Sequence, residues 1–236
     1  MRRFLGLGVV LAVACASHHE EARLDDSGLS RLSEDQMQPV DQARLDLGHA
    51  QDAVSRARAN ESDARARVEV AKSEREVAEA QLKRAAAQRD LLKKQYANQD
   101  SMAQANQDIA AAQDAIRASD LKLQYLNQSV ALATAERAAA EAHVQTQQAI
   151  VEQTKYRAMQ AGGAPQIASI NPGELDARVA QARSREAQVQ RAVAERRTQA
   201  VATYDRWQQA DARSRALGEP QDVPPPPPVA APTQPQ

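Results

Sequence analysis

The chain has almost no aromatic residues. Its 236 residues include one Trp, one Phe and four Tyr, so aromatics make up 3%. Thick globular cores are filled by aromatics and large aliphatics, and here half of the apolar residues are alanine, which favours helix over bulk. There is a single cysteine, which excludes an internal disulfide framework and a Cys-rich zinc site. Neither sign of charge dominates: 30 Lys and Arg face 31 Asp and Glu. That balance argues against a dedicated nucleic-acid binder. The one long apolar run, Phe4 to Ala14, has eleven residues, too few to span a bilayer, which takes roughly 20.

Glycine and proline are absent from His49 to Ala161, a run of 113 residues. Such a stretch without either breaker belongs to long helix. Residues 161–173 hold Gly162, Gly163, Pro165, Pro172 and Gly173 and interrupt the pattern. A further helical segment follows over 174–217. It opens on Asn171-Pro172-Gly173-Glu174, a cap residue, a first-turn proline and an acid three positions on. Gly218 and Pro220 close it. Residues 218–236 contain eight prolines, including Pro224 to Pro228, and are expected to be extended and unpacked.

Within the long run, hydrophobic residues recur every seven positions. One stripe is Val40, Leu47, Val54, Glu61, Val68, Arg75, Leu82, Arg89 and Tyr96. Three positions on, seven alanines in succession run from Ala43 to Ala85, with Leu92 after them. Small residues at a seam allow helix axes to approach closely. A second register, from Met102 to Val151 and from Ala105 to Thr154, repeats the scheme with larger residues. The two registers miss each other by one residue. The slip falls at Asn98-Gln99-Asp100-Ser101, which reads as the tip of an antiparallel hairpin with arms 39–97 and 102–160, about 90 Å long. One continuous helix of roughly 170 Å with a local stammer is the alternative. Pro39 suits a first helical position. The charges within the first stripe, Glu61, Arg75 and Arg89, either set register or partner choice or lie exposed. The third segment fits helical steps through Leu175, Val179, Glu186, Val193, Arg196, Ala200 and Trp207 and is expected to fold back along the second arm, with Trp207 filling the seam. The expected fold is all-α: a long coiled-coil hairpin and a third helix, between a disordered tether at 15–38 and the proline-rich tail.

The N-terminal residues carry an address. Arg2 and Arg3 precede the apolar run, which ends Ala12-Val13-Ala14-Cys15. This fits a secretory signal of residues 1–14, and it resembles the lipobox of bacterial lipoproteins, with Ala12 where Leu is usual. The resemblance implies cleavage after Ala14 and acyl chains on Cys15, and Ala16 after the cysteine points to the outer membrane. An ordinary signal cut after Ala14, leaving a free thiol, is the alternative. Two or more acyl chains would anchor stably. Together with the heptads, the lipobox makes the chain similar to coiled-coil envelope lipoproteins such as the murein lipoprotein. The end Thr233-Gln234-Pro235-Gln236 lacks the lysine that joins that lipoprotein to peptidoglycan, so that covalent bond is not expected.

Chemistry is scarce. Long thin helices do not close a pocket around a nucleophile or a carboxylate pair. The Gly162-Gly163 pair is followed by no Lys-Ser/Thr, and no Glu-x-x-His marks a di-metal bundle. His49 and His143 read as solvated. His18-His19-Glu20-Glu21 reads as a polar spacer, with weak metal binding as the alternative. No catalytic residue, metal site, cofactor, nucleic acid or small-molecule substrate is expected. The expected partners are a membrane, through Cys15, and an envelope protein or peptidoglycan, with self-association open. Three roles fit: a scaffold or spacer in the periplasm, an accessory of an envelope transport, secretion or motility machine that docks through the hairpin tip, and a holdase-type chaperone. The second rests on a likeness of the alanine-rich hairpin to those of periplasmic membrane-fusion adaptors.

Overall fold

The computed structural model of the chain describes residues 24–216. The signal, Cys15, the His18–Glu21 cluster, Leu217 and the proline-rich tail lie outside them. Three long helices make up the fold: α1, Glu34–Lys94; α2, Gln99–Ala161; and α3, Pro172–Ala216. At 1.5 Å per residue, α1 and α2 are each a little over 90 Å long and α3 about 68 Å. The hairpin expectation holds and the continuous helix does not form. α2 is the central helix, with α1 and α3 each packed antiparallel along it.

The arms differ in their limits from the reading of the sequence. α1 begins five residues before Pro39, at a Ser33–Gln36 capping box in which the Gln36 side chain accepts from the Ser33 N–H at 3.0 Å. Glu34 and Asp35 in the first turn favour that start. Pro39 therefore lies inside the helix, where its ring removes one hydrogen bond to the carbonyl of Asp35. The last part of the expected tether is also structured. Asp26–Arg31 forms a short 3₁₀ segment laid on the base of the hairpin. Between α2 and α3, Pro165–Ile167 adds one 3₁₀ turn.

The turn is displaced from Asn98–Ser101 to Gln95–Asn98. Gln99, Asp100 and Ser101 are the first turn of α2, and Asn98 is its cap, its side chain accepting from the Ser101 N–H at 2.9 Å. α1 ends in a Schellman motif: the Ala97 N–H reaches the Leu92 carbonyl at 3.0 Å and the Tyr96 N–H reaches that of Lys93 at 3.4 Å. Such a motif needs one residue with positive φ, and Tyr96 supplies it at 54°. α2 ends in the same motif, Ala164 to Met159 and Gly163 to Gln160, with Gly163 at φ 67°. The missing glycine at the tip is thus replaced by a strained tyrosine. Tyr96 was placed by its period in the seam, and it is instead 95% exposed.

The alanine seam is real. Ala43, Ala50, Ala71 and Ala78 are buried and Ala57, Ala64 and Ala85 half-buried. α2 contributes a second buried face that the single heptad register did not reveal, through Ala115, Ala118, Tyr125, Leu132 and Ala142. From Gln128 to Val144 no residue of α2 is exposed, as a helix flanked on two sides requires. α3 ends well short of the tip, so the last turns of α1 and the first of α2 project as a two-helix arm of roughly 25 Å.

Candidate functional site

An open groove between α1 and α2 is lined mostly by polar residues, Gln51, Ser55, Arg58, Glu141, Gln145 and Gln148, together with Val54 and Val144. No cluster of His, Cys, Asp or Glu able to hold a metal ion occurs among the described residues. No helix among the described residues is long and apolar enough to cross a membrane. The candidate functional features are therefore the two ends of the rod and the polar groups inside its seams.

The base is where residues 24–32 meet the hairpin. Leu29, Val40, Ala158 and Met159 form its core, with Leu32, Met37 and Ile167 against them. Gly28 lies under Met159; a Cβ there would come within 3.1 Å of its Sδ and Cε. Polar straps complete the attachment. The Leu24 N–H donates to Glu152 at 2.8 Å, and Asp26 pairs with Lys155 at 2.8 Å and with Arg44 at 2.9 Å. The Lys155 hydrogen bond holds the Asp26 carboxyl below the ordinary carboxylate range. Burial works against the charged Lys155 ammonium, yet its hydrogen bonds to Asp26 and Glu152 outweigh it and raise its pKa. The described chain thus begins, at Leu24, against the end of the rod opposite the tip.

The tip presents Tyr96 with Leu91, which is 56% exposed, and the basic pair Lys93 and Lys94. Of the four residues placed at the tip by the sequence, only Asn98 lies in the turn itself. The tip is therefore less polar than the sequence implied.

Charges are built into the α1–α2 seam. Glu61 is buried, accepts from the Thr134 hydroxyl at 3.0 Å and pairs with Arg65 and Arg137. Toward the tip Arg75 pairs with Asp120, and Lys122, itself buried, with Glu74. Of the two readings of the stripe charges, register-setting describes Glu61 and Arg75. Arg89 is half-buried and pairs only with its neighbour Asp90.

The α2–α3 seam holds a cluster of three aromatic residues. Tyr125, Tyr204 and Trp207 pack with ring centroids 5.0 to 6.2 Å apart, joined to Val68, Ala71 and Leu126. Trp207 is fully buried, as its period implied, and its indole N–H has no hydrogen-bond partner among the described residues. Two details correct the sequence reading. His143 is exposed to solvent, with 43% of its side chain accessible, but it does not stand alone: its Nδ1 lies 2.9 Å from Glu186 of α3. Arg196 is exposed, and the neighbouring Arg197 crosses to Glu136 at 3.2 Å. The sequence did not single out Tyr125, Tyr204 or Lys155. The signal available for them was the scatter of alanines over two faces of α2, which marks a helix with two partners.

In comparisons with known proteins, the chain matches no family model, no curated protein and no solved structure. Its class is defined by its architecture, an all-α hairpin with a third helix folded back along its second arm.

Proposed function

We propose that this protein is a non-enzymatic scaffold or spacer of the bacterial envelope. It is anchored through lipid on Cys15, in the outer membrane facing the periplasm, and holds an envelope protein or peptidoglycan at a distance. The carrying observation is the polarity of the rod. The segment from Leu24 to Leu32 is strapped to the base by Leu29, Asp26 and Glu152, and the tip at Tyr96 lies roughly 90 Å away. An anchored end and a free end so separated suit a spacer, and the groove between α1 and α2 is open where a small-molecule site would enclose its ligand.

The exposed, strained Tyr96 favours a second reading, an adaptor of an envelope transport, secretion or motility machine that docks through its tip. Holdase activity is a third and draws only on Leu91 and Tyr96. Two measurements separate these. Cys15→Ser is expected to release the protein from membranes on fractionation; a variant that still sediments with them ends the anchor reading. Photo-cross-linking in cells from position 96 is expected to capture peptidoglycan or a structural envelope protein. Capture of a channel component supports the adaptor instead, and a broad set of unfolded clients supports the holdase.

A further inference from the structure

Turned away from α2, α1 carries a second stripe. Every seventh residue from Ala59 to Ala87 is alanine or serine, and four positions beyond each stand Asp63, Val70, Val77, Arg84 and Leu91. Steps of three and four place them on one line of the helix. All are exposed, Val70, Val77 and Leu91 by 60, 58 and 56%. The pattern repeats in kind the alanine seam that α1 uses against α2, with small side chains permitting close approach and no element of this chain lying on them.

The charges in the stripe identify its occupant. Asp63 and Arg84 lie symmetrically about Ser73 and its neighbour, as do Val70 and Val77. A second copy turned end for end sets Val70 beside that copy's Val77, and Asp63 beside its Arg84. A parallel, in-register copy would set Asp63 on Asp63 and Arg84 on Arg84, which repel. Neither residue has an ion-pair partner among the described residues, whereas the flanking Glu69 and Glu74 are already paired with Lys72 and Lys122. The stripe is about 50 Å long. At a width of about 10 Å it buries roughly 500 Å² per copy, about 1,000 Å² in all, where specific interfaces begin.

We propose that this face of α1 binds the same face of a second copy, antiparallel, about a two-fold axis near Ser73. The proposal does not depend on the lipid, since it needs only the folded helices; applied to the scaffold reading, it makes a second base, and not the tip, the far end of the rod. Its consequence is a longer rod with overlapped tips and a base at each end, roughly 120 Å apart.

The test uses the full chain carrying Cys15→Ser. Sedimentation equilibrium is expected to show a dimer at micromolar concentration. Val70→Glu with Val77→Glu is expected to give monomer, with helical circular dichroism unchanged because both sites are exposed. Asp63→Arg and Arg84→Asp should each weaken the dimer about tenfold or more, and the two together should restore it. Ser73→Cys should cross-link to itself on oxidation, and Ala59→Cys mixed with Ala87→Cys should give the mixed disulfide. A chain that stays monomeric to about 100 µM, or a dimer untouched by the two glutamates, overturns the interface. A double reversal that fails to recover, or 59-to-59 disulfides in place of 59-to-87, overturns the antiparallel arrangement.

Discussion

Glu61 of α1 and Arg137 of α2 form an ion pair of 2.7 Å across the hairpin seam, with the Glu61 side chain only 8% exposed. Both sit at seven-residue positions whose nearest members are apolar, Val54 and Val68 beside Glu61 and Val130 and Val144 beside Arg137. Arg58 with Glu141, Arg75 with Asp120 and Glu74 with Lys122 follow the same antiparallel alignment. An alanine seam is nearly featureless along its length, so sliding by one heptad would cost little apolar contact. Such a slide would leave Glu61 buried without its partners, and a buried unpaired charge is costly.

Breaking that pair from one side is therefore expected to be worse than removing it. Arg137→Leu should lower the thermal midpoint, because Glu61 stays in the seam with Thr134 and Arg65 alone. Glu61→Leu with Arg137→Leu should recover or exceed the original midpoint, since an apolar pair of similar volume replaces two desolvated charges. The double variant should also lose uniqueness of register. Disulfide trapping between cysteines placed at positions 68 and 126, against pairs displaced by one heptad, measures that directly.

Acid should act on the same group. The Thr134 hydroxyl, followed by Arg137 and Arg65, holds the Glu61 carboxyl below its ordinary value, and the Lys155 hydrogen bond does the same for Asp26. A carboxyl lowered on folding contributes stability that is complete above its unfolded value of about 4 and is lost as pH falls through the folded value. The thermal midpoint should thus drop steeply below about pH 4, and less steeply in Glu61→Gln. Lys155, raised on folding, has the opposite sense. Its contribution is complete at neutral pH and is lost only as pH rises through its folded value. A Glu61→Gln profile parallel to that of the unaltered chain would remove Glu61 from this account.

The two Schellman motifs offer a matched comparison. Tyr96 holds φ 54° with its side chain in solvent, and Gly163 holds φ 67° with nothing within 4 Å of an added Cβ. A left-handed residue bearing a Cβ costs about 1 kcal/mol relative to glycine. Tyr96→Gly should stabilise by about that amount and Gly163→Ala should destabilise by about the same, read from chemical denaturation. If Tyr96→Gly stabilises yet abolishes capture of the partner by a photo-cross-linker placed at a neighbouring tip position, the tyrosine is held there for binding.

Trp207 is the chain's only tryptophan and lies fully buried between α2 and α3. Its fluorescence should be blue-shifted and should report docking of α3. Trp207→Ala should cost about 3–5 kcal/mol through the cavity it leaves beside Tyr125 and Tyr204. Trp207→Phe should cost clearly less, because it removes an indole N–H that has no partner among the described residues. Hydrogen exchange that stays slow in the distal half of α3 after Trp207→Ala would contradict this.

Much of the fold was legible because its signals are local. The breaker-free run from His49 to Ala161, the Asn171-Pro172 start and the alanine seam each depend on residues a few positions apart, and each has its counterpart in the structure. The tip was misplaced by about three residues for an equally local reason. Asn98 is a helix cap, and a cap begins a helix as readily as it marks a turn; the signal for the end of α1 would have been a glycine, and Tyr96 stands there instead. At the base, Leu29 and Leu32 carry too little periodicity to show that they belong to the core.

What the sequence determined by itself is that the chain forms long helices with close-packing seams, interrupted once near residue 162, because backbone propensity and heptad period are properties of neighbours along the chain. Only the tertiary structure decided which partners those helices take. The burial of Glu61, the two-faced packing of α2, the pairing of His143 with Glu186 and the exposure of Tyr96 all depend on the alignment of residues 40 or more positions apart, or on how the chain reverses between them. An antiparallel hairpin sets that alignment through a few charged pairs, and no local pattern along one helix encodes which residue will stand opposite.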